Sequence, residues 1–113
     1  MLTREQIESK PGFTIKEIPI PEWDGTVCIR SWTANEMDEY ATWVDTGGSV
    51  TKKRAHAKIA AISLCDPDGK RMYADGEIDT LGDRNGAALD RIVKEAMSHN
   101  GLGSDAIESA EGN

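Results

Sequence analysis

The sequence predicts an α+β fold: an N-terminal β-hairpin packed with three main α-helices, a short extra strand or turn after the second, and a mobile acidic C-terminal tail. Three observations lead there. Two β-rich runs flank Asp24-Gly25, which is a hairpin signal. The pattern Thr-x-x-Gln or Thr-x-x-Glu opens two segments as a capping box. Near the far end, Ala88, Leu89, Ile92, Val93, Ala96 and Met97 recur at helical spacing and form a wide apolar face. A chain of 113 residues suits one domain and one modest core. Residues 1–100 are assigned to that domain and 101–113 to the tail.

Taken in order, Thr3-x-x-Gln6 starts a short helix, with Leu2 and Ile7 at the two positions of a hydrophobic staple, and Pro11-Gly12 ends it. The hairpin follows, from Thr14 to Trp32. A two-residue loop at Asp24-Gly25 would put Pro21 opposite Cys28 at a hydrogen-bonded site that proline cannot complete. A three- or four-residue loop turns the prolines away from the partner strand. That predicts an edge strand whose outer side resists further pairing. Thr33-x-x-Glu36 opens the first main helix, to about Asp45, with Trp32 and Met37 at staple positions. Met37, Tyr40, Ala41 and Val44 form its stripe.

Thr46-Gly47-Gly48-Ser49 reads as a loop. Thr51 to Leu64 reads as the second main helix, with Ala55, Ile59 and Ile62 facing the core. Cys65 to Gly69 is a turn, with Pro67 and Gly69 where a type I turn prefers them. Lys70 to Tyr73 is the short strand, and Asp75 caps a one-turn helix carrying Ile78 and Leu81 and ending at Gly82. The third main helix runs from about Arg84 to Ser98. His99 suits its C-terminal dipole and Asn100-Gly101 a left-handed cap. Gly101 to Asn113 has little apolar content, the composition of a mobile tail.

Composition excludes several functions. Twenty acidic against 13 basic residues give a net charge of −7, the wrong sign for coating nucleic acid or anionic lipid. No apolar run approaches membrane-spanning length, and the first residues carry no signal-peptide pattern, so a cytoplasmic location is expected. Cys28 and Cys65 lack CxxC spacing and read as reduced, partly buried thiols. Asp66, Asp68 and Glu77 imitate a calcium loop, but Lys70 and Arg71 occupy the positions that need an oxygen ligand and a glycine. His56 and His99 have no helix-spaced partner that would complete a metal site. His56 lies among cations, which would oppose a metal. With no nucleophile elbow, phosphate loop or selected carboxylate pair, neither an enzyme nor a cofactor is expected.

Two features stand out as candidates for partner binding. Thr51 to Lys58 holds four cations (Lys52, Lys53, Arg54 and Lys58) and no acid. Three of them fall in the first turn of the predicted helix, where the macrodipole disfavours positive charge by about 0.3–1 kcal/mol each, so helix stability does not account for them. They are either a solvated surface paired loosely with the domain's own acids or a surface for an acidic neighbour. Trp43 lies off the apolar stripe, beside Tyr40 and Glu36. It either covers the edge of the core or stands as an interface anchor. With Met37, Tyr40 and Met97 it is a candidate contact for a partner helix.

The chain resembles the tail assembly chaperones of long-tailed, non-contractile (siphovirus-type) bacteriophages. The resemblance spans nearly its whole length. It rests on Leu2-Thr3-Arg4-Glu5-Gln6-Ile7 and on Pro21-Glu22-Trp23-Asp24-Gly25-Thr26-Val27-Cys28-Ile29-Arg30 leading into Thr33-Ala34-Asn35-Glu36. It rests also on Leu64-Cys65-Asp66-Pro67-Asp68-Gly69-Lys70-Arg71-Met72-Tyr73 and on Ala87-Ala88-Leu89-Asp90-Arg91-Ile92. It implies a non-enzymatic adaptor that self-associates, coats the tape measure protein and keeps it soluble while tail tube subunits assemble. Such a protein works in the host cell cytoplasm and leaves before the virion is complete. The resemblance further implies a longer form made by ribosomal frameshifting, which recruits tube protein. Gly112-Asn113 can be encoded by a slippery run. The alternative is another small phage structural protein, such as a head–tail connector component retained in the virion. The family pattern does not extend to Lys52–Arg54 or to Thr46–Ser49.

Overall fold

The computed structural model describes residues 1–52 and 54–102, with the backbone path alone for residues 44–52 and for Asp75. Lys53 and the predicted tail beyond Leu102 lie outside the described residues. The first capping box forms as expected: Thr3 Oγ1 accepts from the Gln6 amide at 3.2 Å, and Gln6 Oε1 accepts from the Thr3 amide at 2.9 Å. They start helix α1, Arg4–Glu8. The hairpin strands are β1, Ile15–Ile20, and β2, Gly25–Arg30, paired antiparallel with Ile20 opposite Gly25 and Pro19 opposite Thr26. The connection is therefore Pro21–Asp24, the longer loop that the prolines require. It winds as a 3-10 turn over Pro21–Trp23 and closes with Asp24 at φ 51°, a left-handed position that Asp tolerates better than most residues.

The Ser31 amide donates to the Thr14 carbonyl at 2.8 Å. Bonding sites alternate along an antiparallel ladder. The amides at 16, 18 and 20 thus face β2, and position 19 faces outward, where a proline removes no ladder bond. The strand β1 is an edge, since the sheet order is β1-β2-β3.

The second capping box also forms. Thr33 Oγ1 accepts from the Glu36 amide at 3.2 Å, and Glu36 Oε1 from the Thr33 amide at 2.9 Å. The helix it opens, α2, runs Ala34–Lys52 without a break. The loop expected at Thr46–Ser49 is thus helical backbone, and the first main helix does not end at Asp45. Two glycines cost about 1 kcal/mol each in a helix interior, yet a helix already nucleated extends one bond per residue fixed. The break falls instead before α3, Ala55–Ser63, so the second main helix starts four positions later than Thr51. It also ends one residue early. Leu64 takes extended dihedrals and, with Cys65, forms β3, pairing Leu64 with Ile29 and Cys65 with Cys28. Cross-strand pairing there outweighs helix propensity. The expected strand at Lys70–Tyr73 appears as a bridge from Arg71 to Cys65.

Between them lies the Asp66–Gly69 turn. Asp66 Oδ1 accepts from the amides of Asp68 and Lys70, both at 2.9 Å, which commits that carboxylate to turn chemistry. Gly69 sits at φ 91°, and a Cβ there would strike the Phe13 ring. A 3-10 turn, Asp75–Glu77, leads into α4, Ile78–Gly82, and then α5, Gly86–His99, capped by the Asn85 side chain accepting from the Ala88 amide at 2.9 Å. The α5 terminus closes as a Schellman motif: the Leu102 amide donates to the Met97 carbonyl, the Gly101 amide to Ser98, and Gly101 has φ 75°.

The inner sheet face offers Ile18, Ile20, Ile29 and Leu64; α5 packs on the hairpin, α3 on α5 and α4 on α3, and together they add Ile59, Ile62, Leu81, Leu89 and Ile92 to one core. Burying each such side chain stabilises by about 1.5–3 kcal/mol. Ala57, Ala60, Ala61, Ala88 and Ala96 are fully covered, and small residues of this kind let α3 and α5 approach closely.

Candidate interaction surface

Trp32 ends the hairpin and is 5% exposed; its Nε1 donates to Ser63 Oγ at 2.9 Å, and its amide donates to Asn100 Oδ1. Tyr40, two turns into α2, sets its ring 5.4 Å from that of Trp32 and 6.0 Å from that of Trp43, stacked on the latter at 25°. Burial pushes the Tyr40 phenol above its ordinary pKa. Lys58 on α3 completes the row. Its ammonium lies 5.9 Å from the Trp43 ring centroid and donates to Glu39 Oε1 at 3.1 Å. The residue is only 3% exposed. The row Trp32–Tyr40–Trp43–Lys58 therefore clamps the first half of α2 against α3. Trp43 is itself half-buried, with one neighbour in Tyr40 and another in Lys58.

The sequence-predicted contact residues fall in three places. Tyr40 and Trp43 are brought together in the row, and Met37, on the same helix, stands 37% exposed. Met97 lies on α5, partly buried against the core. The basic stretch does not form the first turn of a helix as expected. Lys52 is the last residue of α2, Lys53 lies outside the described residues, and Arg54 is the N-cap of α3. Arg54 pairs with Asp79, and Lys58 with Glu39, so both meet acids of their own chain. His56 likewise meets an acid rather than the neighbouring cations: its Nε2 is 3.3 Å from Asp90 Oδ1.

Arg30 was not singled out by its sequence and turns out to be a hub. It pairs with Glu36, donates to the Gly69 carbonyl at 3.1 Å, and stacks 4.7 Å from the Phe13 centroid. Its Nε is buried with no hydrogen-bond partner. One Glu36 carboxylate thus caps α2 and ties it to β2. The signal was present in the capping-box glutamate, but a carboxylate's second oxygen has no sequence signature.

Elsewhere the surface is laced with ion pairs. Arg91 grips Glu22 through two bonds, 3.1 and 2.9 Å, which fixes the hairpin tip to α5 and holds the Glu22 carboxyl below its ordinary value. Lys94 and His56 do the same for Asp90. A cleft of 570 Å³ opens between α3, α4 and α5, lined by Arg54, His56, Ile78, Asp79, Arg84 and Leu89. Its rim carries both signs of charge, so it presents no field of one sign. Among the described residues, no cluster of three His, Cys, Asp or Glu side chains could hold a metal ion, and no helix is long and apolar enough to cross a membrane.

No protein-family model matches the sequence, and neither does any curated protein. A solved structure does match in three dimensions: the bacteriophage HK97 tail assembly chaperone. The TM-score is 0.64 at 21% identity, over 84% of this chain and 90% of that one. The fold is thus shared along most of both molecules. This chain has the fold of a phage tail assembly chaperone.

Proposed function

We propose that the chain is itself a tail assembly chaperone, a non-enzymatic protein that acts in the host cell while phage tails are built. The likeness to the HK97 protein over most of both chains carries this reading. In it, the chain self-associates and holds a tape measure protein in soluble form until tail tube subunits arrive, and it is absent from the finished virion. A helix that would otherwise expose apolar surface is the natural target of Met37, Tyr40, Trp43 and Met97. Lys52, Lys53 and Arg54 would meet acidic segments of a neighbouring copy. A longer frameshifted form, read through near Gly112-Asn113, would recruit tube protein.

Co-expression tests the reading directly. The tape measure protein encoded with this chain should be soluble in its presence and aggregate in its absence. Met37→Ser, at an exposed position of the same helix, should weaken the co-purified complex about tenfold with little change in melting midpoint. Mass spectrometry of purified virions should find the chain absent; its presence at stoichiometric level would favour a connector component instead.

A further inference from the structure

The two thiols have no part in the proposed role. Cys28 and Cys65 are direct partners across β2 and β3, and both are free. The Asp66 amide and Leu64 carbonyl bond outward, to Lys70 and Met72, so the amide and carbonyl of Cys65 point at β2. Because the Cys28 amide also faces away from β1, the two cysteines form a hydrogen-bonded cross-strand pair. Opposed residues project from the same face of a sheet, and in such a pair the Cα atoms lie about 5.5 Å apart, inside the range that disulfides span. Cβ atoms in these pairs are about 4.5–5.5 Å apart, against about 3.8 Å in an unstrained disulfide, so closure pulls the strands together by roughly 1 Å.

We propose that Cys28 and Cys65 are a closable dithiol, a modification site for small disulfides of the glutathione class. Cys28 is the partly exposed member and Cys65 is buried, which fixes the order of attack. The Cys28 thiolate attacks one sulfur of the small disulfide, forming a mixed disulfide and releasing one thiol. The Cys65 thiolate then attacks the Cys28 sulfur, closing the intramolecular bond and releasing the second thiol. Two protein thiols are oxidised, one small disulfide is reduced to two thiols, and the two protons pass to the departing thiolates. Burial pushes the Cys65 thiol up, whereas the Arg30 guanidinium favours its thiolate. The bond locks β2 to β3, and its strain makes it readily reopened by monothiols.

The site is independent of the tail-assembly reading and is tested on the full native chain with glutathione disulfide and intact-mass measurement. The expected product is a monomer about 2 Da lighter than the reduced chain, restored by glutathione. Cys65→Ser should stop at a glutathione adduct, and Cys28→Ser should react at least about tenfold more slowly than the native chain. A lasting adduct on the native chain, an interchain-linked dimer, or reaction only after unfolding in urea would each overturn the proposal.

Discussion

Two helices of this protein begin with the same sentence of sequence and end in opposite circumstances. Thr3-x-x-Gln6 and Thr33-x-x-Glu36 form the same reciprocal pair of hydrogen bonds at nearly identical distances. Yet α1 buries no residue, and its staple positions Leu2 and Ile7 are 57% and 58% exposed. The helix α2 is fastened by Arg30 beneath its cap and by Trp32, Tyr40 and Lys58 along its flank. A cap specifies where a helix starts. Whether that helix joins the body depends on partners brought from elsewhere in the chain.

The largest test of this contrast replaces the last residue of each box. Glu36→Ala leaves Arg30 charged, largely buried and unpaired, and should cost about 3–5 kcal/mol in urea unfolding. The equivalent Gln6→Ala should move global stability by less than about 0.5 kcal/mol, because α1 has nothing beneath it. Equal losses would break the comparison. Removing the cap hydroxyls separates capping from anchoring. Thr33→Ala should cost about 1 kcal/mol globally. Thr3→Ala should instead fray α1 alone, visible as faster amide exchange at residues 4–8 with an unchanged melting midpoint.

The smallest effect comes from a surface tie that, unlike the Arg4–Glu8 ion pair within α1, spans two elements. Arg91 holds the Glu22 carboxyl below its ordinary value of 4.5. The unfolded chain therefore takes up that proton first as pH falls. The stabilisation is present in full above the ordinary carboxylate range and disappears as pH drops through the lower folded value. Arg91→Gln should flatten that part of the acid limb, measured as urea midpoints between neutral and acid pH.

What the sequence made legible was local. Both boxes, the Asp66 turn, the Gly101 cap and the register forced by Pro19 are short-range chemistry, and each appears where expected. The misreadings have non-local causes. Gly47-Gly48 looked like a break because glycine propensity was read without the continuity of a helix already started. Leu64 looked helical because its strand partner, Ile29, lies 35 positions away. For the candidate surface, Tyr40 and Trp43 were placed together correctly. Of the two readings of the Thr51–Lys58 cations, pairing with the chain's own acids holds for Arg54 and Lys58, though which acids, Asp79 and Glu39, depends on other helices and has no local signature.

The outward proline on β1 has a consequence for crowded solutions. A flat, open strand border invites copies of a chain to stitch together without limit. Here that border is short and lacks a donor at position 19. Growth of assemblies is thereby steered away from sheet stitching and toward side-chain contacts between helices, which can be undone. A molecule proposed to keep another from clumping is in this way kept from becoming the seed of a clump itself.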